Sequence, residues 1–117
     1  MPILYRADAI SEEGYPGIPR TVLVDASRGA ESLWVGHLEV APGAQVTTHI
    51  HPDTEEAMVI VEGELEAALG DEVVTLGPGD TVLAPAGVKH GFVNRSGVKA
   101  VLLAAFPKTS FQRVSAE

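Results

Sequence analysis

The chain contains no cysteine, few aromatic residues and no long hydrophobic run. The absence of cysteine excludes disulfides, thiolate metal ligands and a cysteine nucleophile. No apolar stretch approaches the roughly 18 residues of a membrane-spanning helix. The first residues, MPILYR, lack the basic and apolar segments of an export signal. We therefore expect a cytoplasmic protein without a membrane partner.

Positive charge is also scarce, because 8 lysines and arginines stand against 16 acidic residues and the net charge is −8. The basic residues are scattered singly from Arg6 to Arg113, so no basic stripe is available to follow a phosphate backbone. Nucleic acid is therefore not an expected partner. The length of 117 residues predicts a single domain over residues 1–117.

No window of the chain shows the 3.6-residue periodicity of a helix, and short apolar or alternating runs are separated by glycine and proline turns. This pattern predicts an all-β, antiparallel sandwich or barrel with little helix. Residues 1–20 hold three prolines and two glycines, and we expect them to form a loop or an extended N-terminal arm.

Two histidines, His49 and His51, lie two residues apart on a predicted strand and therefore project to the same face. Glu55 and Glu56 open the next strand, and His90 lies on a later one. Three imidazoles and one carboxylate form a donor set for one divalent transition metal ion, namely Mn, Fe, Ni, Cu, Co or Zn. The sequence thus predicts a metal centre, with either glutamate as its carboxylate.

The histidine pair belongs to a longer pattern of spaced residues. Five residues separate Gly43 from His49, one separates His49 from His51, four separate His51 from Glu56, and six separate Glu56 from Gly63. Fifteen residues further on, a second pattern runs through Gly79, Pro85, Gly87, His90 and Asn94, with intervals of five, one, two and three residues. The glycines are expected at strand ends, where φ is positive or the backbone approaches closely.

Together these two patterns resemble the two motifs of the cupin superfamily, over residues 33–106. The resemblance implies a small cupin with a jelly-roll β-barrel, which commonly forms a homodimer. It implies that His49, His51, Glu56 and His90 bind the metal. The six-residue interval to Gly63 favours Glu56 over Glu55.

Strand parity extends the predicted site beyond the metal ligands. Gln45 and Thr47 share parity with the histidine pair, and Met58 and Phe92 share parity with Glu56 and His90. We expect these four side chains and His37 to line the pocket around the metal. Trp34 is expected between the sheets or at a subunit contact rather than against a ligand.

The predicted function is that of a metal-dependent enzyme for a small-molecule substrate, with a dioxygenase as the first hypothesis. A non-redox isomerase, lyase or decarboxylase acting on a sugar or keto acid is the alternative, because a Lewis-acid metal also stabilises enolates. A non-catalytic barrel that binds an effector is the third. No lysine, tyrosine or unassigned carboxylate is expected in the barrel, which leaves Glu56, or a hydroxide at the metal, as the catalytic base.

Overall fold

The structure is a computed structural model that describes residues 2–117, and within that range eleven strands form two antiparallel sheets. The strands are β1 (Ile10–Tyr15), β2 (Ile18–Val24), β3 (Trp34–Val40), β4 (Gln45–Ile50), β5 (Glu56–Glu62), β6 (Leu65–Leu69), β7 (Glu72–Leu76), β8 (Thr81–Ala84), β9 (His90–Val93), β10 (Ala100–Phe106) and β11 (Val114–Ser115). The helical structure within residues 2–117 consists of two short 3-10 helices, Arg6–Asp8 and Ala26–Arg28. Neither helix is long and apolar enough to cross a membrane.

One sheet has six strands in the order β1-β2-β3-β10-β5-β8, and the other has five in the order β11-β4-β9-β6-β7. The all-β jelly roll with little helix is therefore confirmed. Within residues 2–117 the pairing does not run continuously from one sheet into the other. The predicted barrel is thus a pair of facing sheets, whose inner side chains converge as they would in a closed barrel.

The core lies between the two sheets because inward and outward positions alternate along each strand. On β5, Glu56, Met58 and Ile60 are buried, whereas Ala57 and Val59 on the other face are half-buried. The inner face is mostly apolar, and burial of each large aliphatic side chain contributes about 1.5–3 kcal/mol. Glu56 is an exception, since its carboxylate lies among core residues.

The expectation of a loop or extended arm over residues 1–20 is wrong for its second half, where β1 and the start of β2 form a hairpin. Proline normally weakens a strand because it donates no ladder hydrogen bond. Here Pro19 lies opposite Glu13, next to an irregularity in β1, so the missing donor falls where the ladder is already interrupted. This hairpin extends the six-stranded sheet by two strands.

The motif glycines lie at turns, as the spacing predicts, and Gly43, Gly63, Gly79 and Gly87 all have positive φ. Gly63 has the strictest requirement, because φ is +78° and an added Cβ would lie 2.6 Å from the carbonyl oxygen of Lys99. A side chain at this position would therefore push β5 away from the segment that leads into β10.

Candidate metal centre

Four buried side chains converge between the sheets, and their ligand atoms lie within 4.8 Å of one another. His49 is on β4, and His51 follows its last residue. His90 begins β9 directly opposite His49 in the pairing register. Glu56 begins β5 and reaches the cluster from the facing sheet. Both sheets must pack correctly before the complete donor set exists.

Backbone carbonyls orient each imidazole. The Nδ1 atom of His49 donates to the Thr47 carbonyl oxygen at 2.8 Å, and that of His51 donates to the Gln112 carbonyl oxygen at 2.6 Å. His90 Nδ1 donates to the Val88 carbonyl oxygen at 3.1 Å. With the proton on Nδ1, each Nε2 lone pair is left free for a metal.

The carboxylate completes a donor set that fits a divalent cation. Glu56 Oε1 lies 2.9 Å from Nε2 of His90 and 3.4 Å from Nε2 of His51. When the imidazoles are neutral, these atoms are all acceptors, and buried acceptors that face each other are unfavourable. A cation among them removes this conflict and matches the ordinary N and O preferences of the transition metals considered above.

The electrostatics of the cluster keep Glu56 ionised. Burial raises the pKa of this carboxyl, but its interactions with His51 and His90 outweigh burial, and the net pKa is lowered. Burial lowers the pKa of His49 to about 4, so its imidazole is neutral at neutral pH. For His51, burial is outweighed by the hydrogen bonds with Glu56 and Gln112, and the pKa is raised.

The structure separates the two adjacent glutamates. Glu56 is buried in the cluster, whereas Glu55 is exposed on the other side of the strand. Parity alone leaves the choice open because β5 packs apolar residues on both faces. The geometry agrees with the preference for Glu56 that the cupin-like spacing implies.

The cluster forms the floor of a cavity of about 240 Å³ between the sheets. Most of its lining is aromatic or aliphatic, and the only acidic residue among the lining side chains of the described range is Glu56. The lining residues are Tyr15, Arg20, Trp34, Leu38, Val46, His49, His51, Glu56, Met58, His90, Phe92, Leu102, Ala104, Phe106, Phe111 and Arg113.

Two of the five additional pocket residues expected from parity, Met58 and Phe92, do line this cavity, and three do not. Gln45 and Thr47 instead line a separate depression together with Glu66. His37 is half-buried on the opposite face of β3 from the inward-facing Leu38. The parity expectation is therefore wrong for Gln45, Thr47 and His37.

An extra residue in β4 explains why Gln45 and Thr47 are misplaced. Val46 pairs with Phe92 and His49 pairs with His90, so three steps along β4 oppose two steps along β9. Such a bulge reverses the alternation of faces. Gly91 permits it, because a Cβ there would lie 2.7 Å from the Val46 carbonyl oxygen. Thr47 still serves the site, through its backbone carbonyl.

Several cavity residues were not expected from the sequence. Tyr15 and Arg20 come from the β1–β2 hairpin, and Phe111 and Arg113 come from the segment after β10. Their segments carry no repeated spacing that would have marked them. The expectation that no tyrosine lies in the barrel is wrong, because Tyr15 lines the cavity. Trp34 lies between the sheets, as one of its two expected positions has it, and lines the cavity there.

The C-terminal segment, residues 107–117, closes one side of the cavity. Phe111 stacks on Phe106 with ring centroids 3.7 Å apart and also contacts the ring of His51 edge to face. Asp53 anchors the segment, because its carboxylate accepts hydrogen bonds from the backbone N–H of Gln112 and from Lys108 Nζ, both at 3.1 Å. The segment therefore connects the cavity wall to the carbonyl that orients His51.

A jelly roll with a buried cluster of three histidines and one glutamate defines a class of small β-proteins able to bind one metal ion. The sequence profile described as the cupin domain matches residues 36–106. That range contains more than half of the chain and all four ligand residues, and the chain belongs to the cupin domain family.

Among characterised sequences, the chain is 36% identical over 84 residues to the tetracenomycin polyketide synthase protein TcmJ of Streptomyces glaucescens, covering 72% of this chain and 56% of the relative. It is 34% identical over 87 residues to protein SchB of Streptomyces halstedii, covering 74% and 63%. The chain therefore spans less than two thirds of the length of either relative.

Among solved structures, the polyketide cyclase RemF from Streptomyces resistomycificus superposes with a TM-score of 0.85 at 25% sequence identity. The superposition covers 100% of this chain and 86% of RemF. The likeness therefore includes the N-terminal hairpin and the C-terminal segment, which lie outside the family match.

Proposed function

We propose that this cupin is a metal-dependent enzyme that closes a ring in a polyketide-like substrate without oxidising it. The observation that carries the proposal is the position of the cluster of three histidines and Glu56 at the floor of an aromatic-lined cavity. Such a cavity holds a flat, largely apolar molecule with its oxygen atoms directed at the metal ligands.

The proposed reaction is an aldol-type ring closure. A carbon between two carbonyl groups loses a proton and bonds to a distant ketone carbon, whose oxygen takes up that proton and becomes a hydroxyl. The same carbon then loses its second proton, the hydroxyl takes up a proton and leaves as water, and a carbon–carbon double bond forms between the two joined carbons. No oxidant is consumed. A divalent ion at the cluster would supply Lewis-acid polarisation of a substrate oxygen. Glu56, ionised because of its lowered pKa, is suited to hold that ion.

The chain's own residues would position the substrate and exclude water. Trp34, Phe106 and Phe111 surround the cavity with rings in edge-to-face and stacked contact. These walls favour a folded chain of conjugated ketones, which would expose flat apolar faces to them. A sugar is less suited, because the rings of Trp34, Phe106 and Phe111 offer its hydroxyl groups no hydrogen-bond partners.

The names of the relatives agree with this chemistry, since one is a polyketide synthase protein and another a polyketide cyclase. The dioxygenase hypothesis rests on the donor set alone and has no support among the relatives named above. Glu56 as a catalytic base is also less favoured, because a carboxylate with a lowered pKa is a weak proton acceptor.

The test incubates the metal-loaded chain with a synthetic aryl triketone and follows the product by mass spectrometry and dissolved oxygen with an electrode. We expect loss of one water with no oxygen consumed, and no reaction with His51→Ala. The matched control is His37→Ala, which removes the one histidine outside the cluster and should retain activity.

Two other results would assign a different function. Addition of two oxygen atoms with consumption of dissolved oxygen would establish the dioxygenase instead. Binding of metal and triketone without turnover would identify an effector-binding cupin. The single domain, the homodimer and the cytoplasmic location remain predictions, and the dimer is tested by sedimentation of the purified chain.

A further inference from the structure

The wall of the cavity carries positive charge that the metal cluster does not use. Acidic residues outnumber basic ones by 16 to 8 in the chain. Yet two arginines, Arg20 and Arg113, line the cavity, where Glu56 is the only acidic lining residue of the described range. The distribution of charge in the cavity is thus opposite to that of the chain as a whole.

Arg113 has no anionic partner within the part of the chain that the structure describes. Its Nε donates to the Tyr15 hydroxyl at 2.8 Å, and one terminal nitrogen donates to Thr47 Oγ1 at 3.3 Å. Both acceptors are neutral, so the hydrogen bonds hold the guanidinium in place and leave its charge uncompensated.

Arg20 lies on the same cavity wall as Trp34, with its guanidinium carbon 5.8 Å from the centre of the indole. One terminal nitrogen pairs with Glu12, an exposed residue. Its Nε is buried and is the one buried side-chain nitrogen or oxygen in residues 2–117 without a hydrogen-bond partner. That nitrogen is closed off from the cavity, but Arg20 itself lines it, and the charge of its guanidinium would attract an anionic group there.

We propose that Arg20 and Arg113 form an anion-binding subsite that selects substrates carrying a carboxylate beside a flat apolar body. The apolar body would lie against Trp34 and Phe111, with the carboxylate directed at the guanidinium groups and away from the metal cluster. The choice of an aromatic ligand rests on the function proposed above. The negative charge of its acidic group does not, because it follows from the two arginines alone.

Both arginines lie outside residues 36–106, the range that the family profile matches. The proposed subsite is therefore a property of the flanking segments of this chain. Phe111 and Arg113 share one segment, so that segment would contribute both the apolar wall and the charge.

The test measures binding of naphthoate and naphthamide, which have nearly the same shape and differ in charge, by calorimetry with the metal-loaded chain. We expect wild type to prefer naphthoate by about tenfold or more, the usual range for charge-assisted hydrogen bonds. Arg113→Gln should remove most of this preference and the double variant with Arg20→Gln all of it. Arg113→Lys should retain part of it.

The matched control is Arg95→Gln, because Arg95 is an exposed arginine paired with Glu66 outside the cavity. It should keep the full preference for naphthoate. A merely structural role of Arg113 would weaken the acid and the amide equally, and circular dichroism verifies that each variant is folded.

Equal affinity of wild type for naphthoate and naphthamide would overturn the subsite. An undiminished naphthoate preference in the folded double variant would also overturn it, because the metal and not the arginines would then hold the carboxylate. The two proposals fail separately. Absence of ring closure with an arginine-dependent naphthoate preference rejects the proposed function and supports the subsite. Ring closure with equal affinity for both ligands does the reverse.

Discussion

The floor and the rim of the cavity are built in different ways. The floor consists of four buried candidate ligands on or next to strands of both sheets, all within the family match. The rim consists of Tyr15, Arg20, Phe111 and Arg113, which are half-buried or exposed and come from segments outside that match. We propose that the cupin core supplies the metal chemistry and that the flanking segments determine which molecule reaches it.

The largest effect is expected from breaking the floor. His51→Ala should reduce bound metal from about one ion per chain to almost none, because three donors rarely retain a transition metal that needs four. Elemental analysis after purification without added metal measures the content. His37→Ala should keep its metal, since this histidine lies outside the cluster. Equal metal in both variants would refute the centre.

A smaller effect is expected from pH, to which the floor is sensitive through its histidines. In the chelator-treated chain, His49 has a pKa of about 4, below the ordinary 6.5. Between these values the unfolded chain binds a proton that the folded chain does not, so stability falls as pH falls. We expect His49 to contribute about 2–3 kcal/mol to this loss.

Urea unfolding of wild type and His49→Gln between pH 6.5 and 4 measures that contribution, and the variant should show a shallower decline. The pKa of His51 is raised on folding, so protonated His51 stabilises the folded chain fully below pH 6.5. This stabilisation is lost only as the pH rises above 6.5 through the pKa of the folded chain, which lies outside the range of the titration. Parallel curves for the two proteins would contradict the assignment to His49.

The smallest effect is expected where rim and floor are connected. Asp53→Ala removes the carboxylate that accepts hydrogen bonds from the backbone N–H of Gln112 and from Lys108. It therefore loosens the C-terminal segment, in which the backbone carbonyl of Gln112 orients His51. Loss of such support for a metal ligand typically weakens metal binding by about tenfold or more. Because the anchoring here is indirect, we expect a loss of about tenfold at most in a competition titration with a chelator.

The control for this connection is Asp71→Ala, which removes an exposed carboxylate paired with Lys89 at 3.6 Å, outside the cavity. Its metal affinity should equal that of wild type. If Asp53→Ala also binds metal as tightly as wild type, metal binding at the floor does not depend on the C-terminal segment. The floor and the rim would then act independently of each other.

The three histidines and the pair of glutamates could be predicted as candidate ligands from residue type, and His49 and His51 lie only two residues apart in the chain. The resemblance of the two motifs to those of cupins implied His90 and favoured Glu56 over Glu55. Turn glycines with positive φ terminate the strands and so preserve the intervals of the two motifs. Met58 and Phe92 followed from parity because their strands continue without a bulge before them.

Parity failed at Gln45 and Thr47 because the bulge in β4 reverses the faces between Val46 and His49. No residue type in that stretch marks the extra residue; the tight approach that requires Gly91 lies on another strand, 45 positions beyond Val46 in the chain. Local alternation contains no information about such a contact between strands.

The sequence by itself determined the all-β class, the turns and the candidate donors, because these depend on residue type and on spacing along the chain. Only the tertiary structure decided that Glu56 and not Glu55 faces the histidines, and that Gln112 orients His51. It also decided that Arg20 and Arg113 both line the cavity. These relations join residues far apart in the chain, and they exist only when the two sheets pack and the terminal segments fold over them.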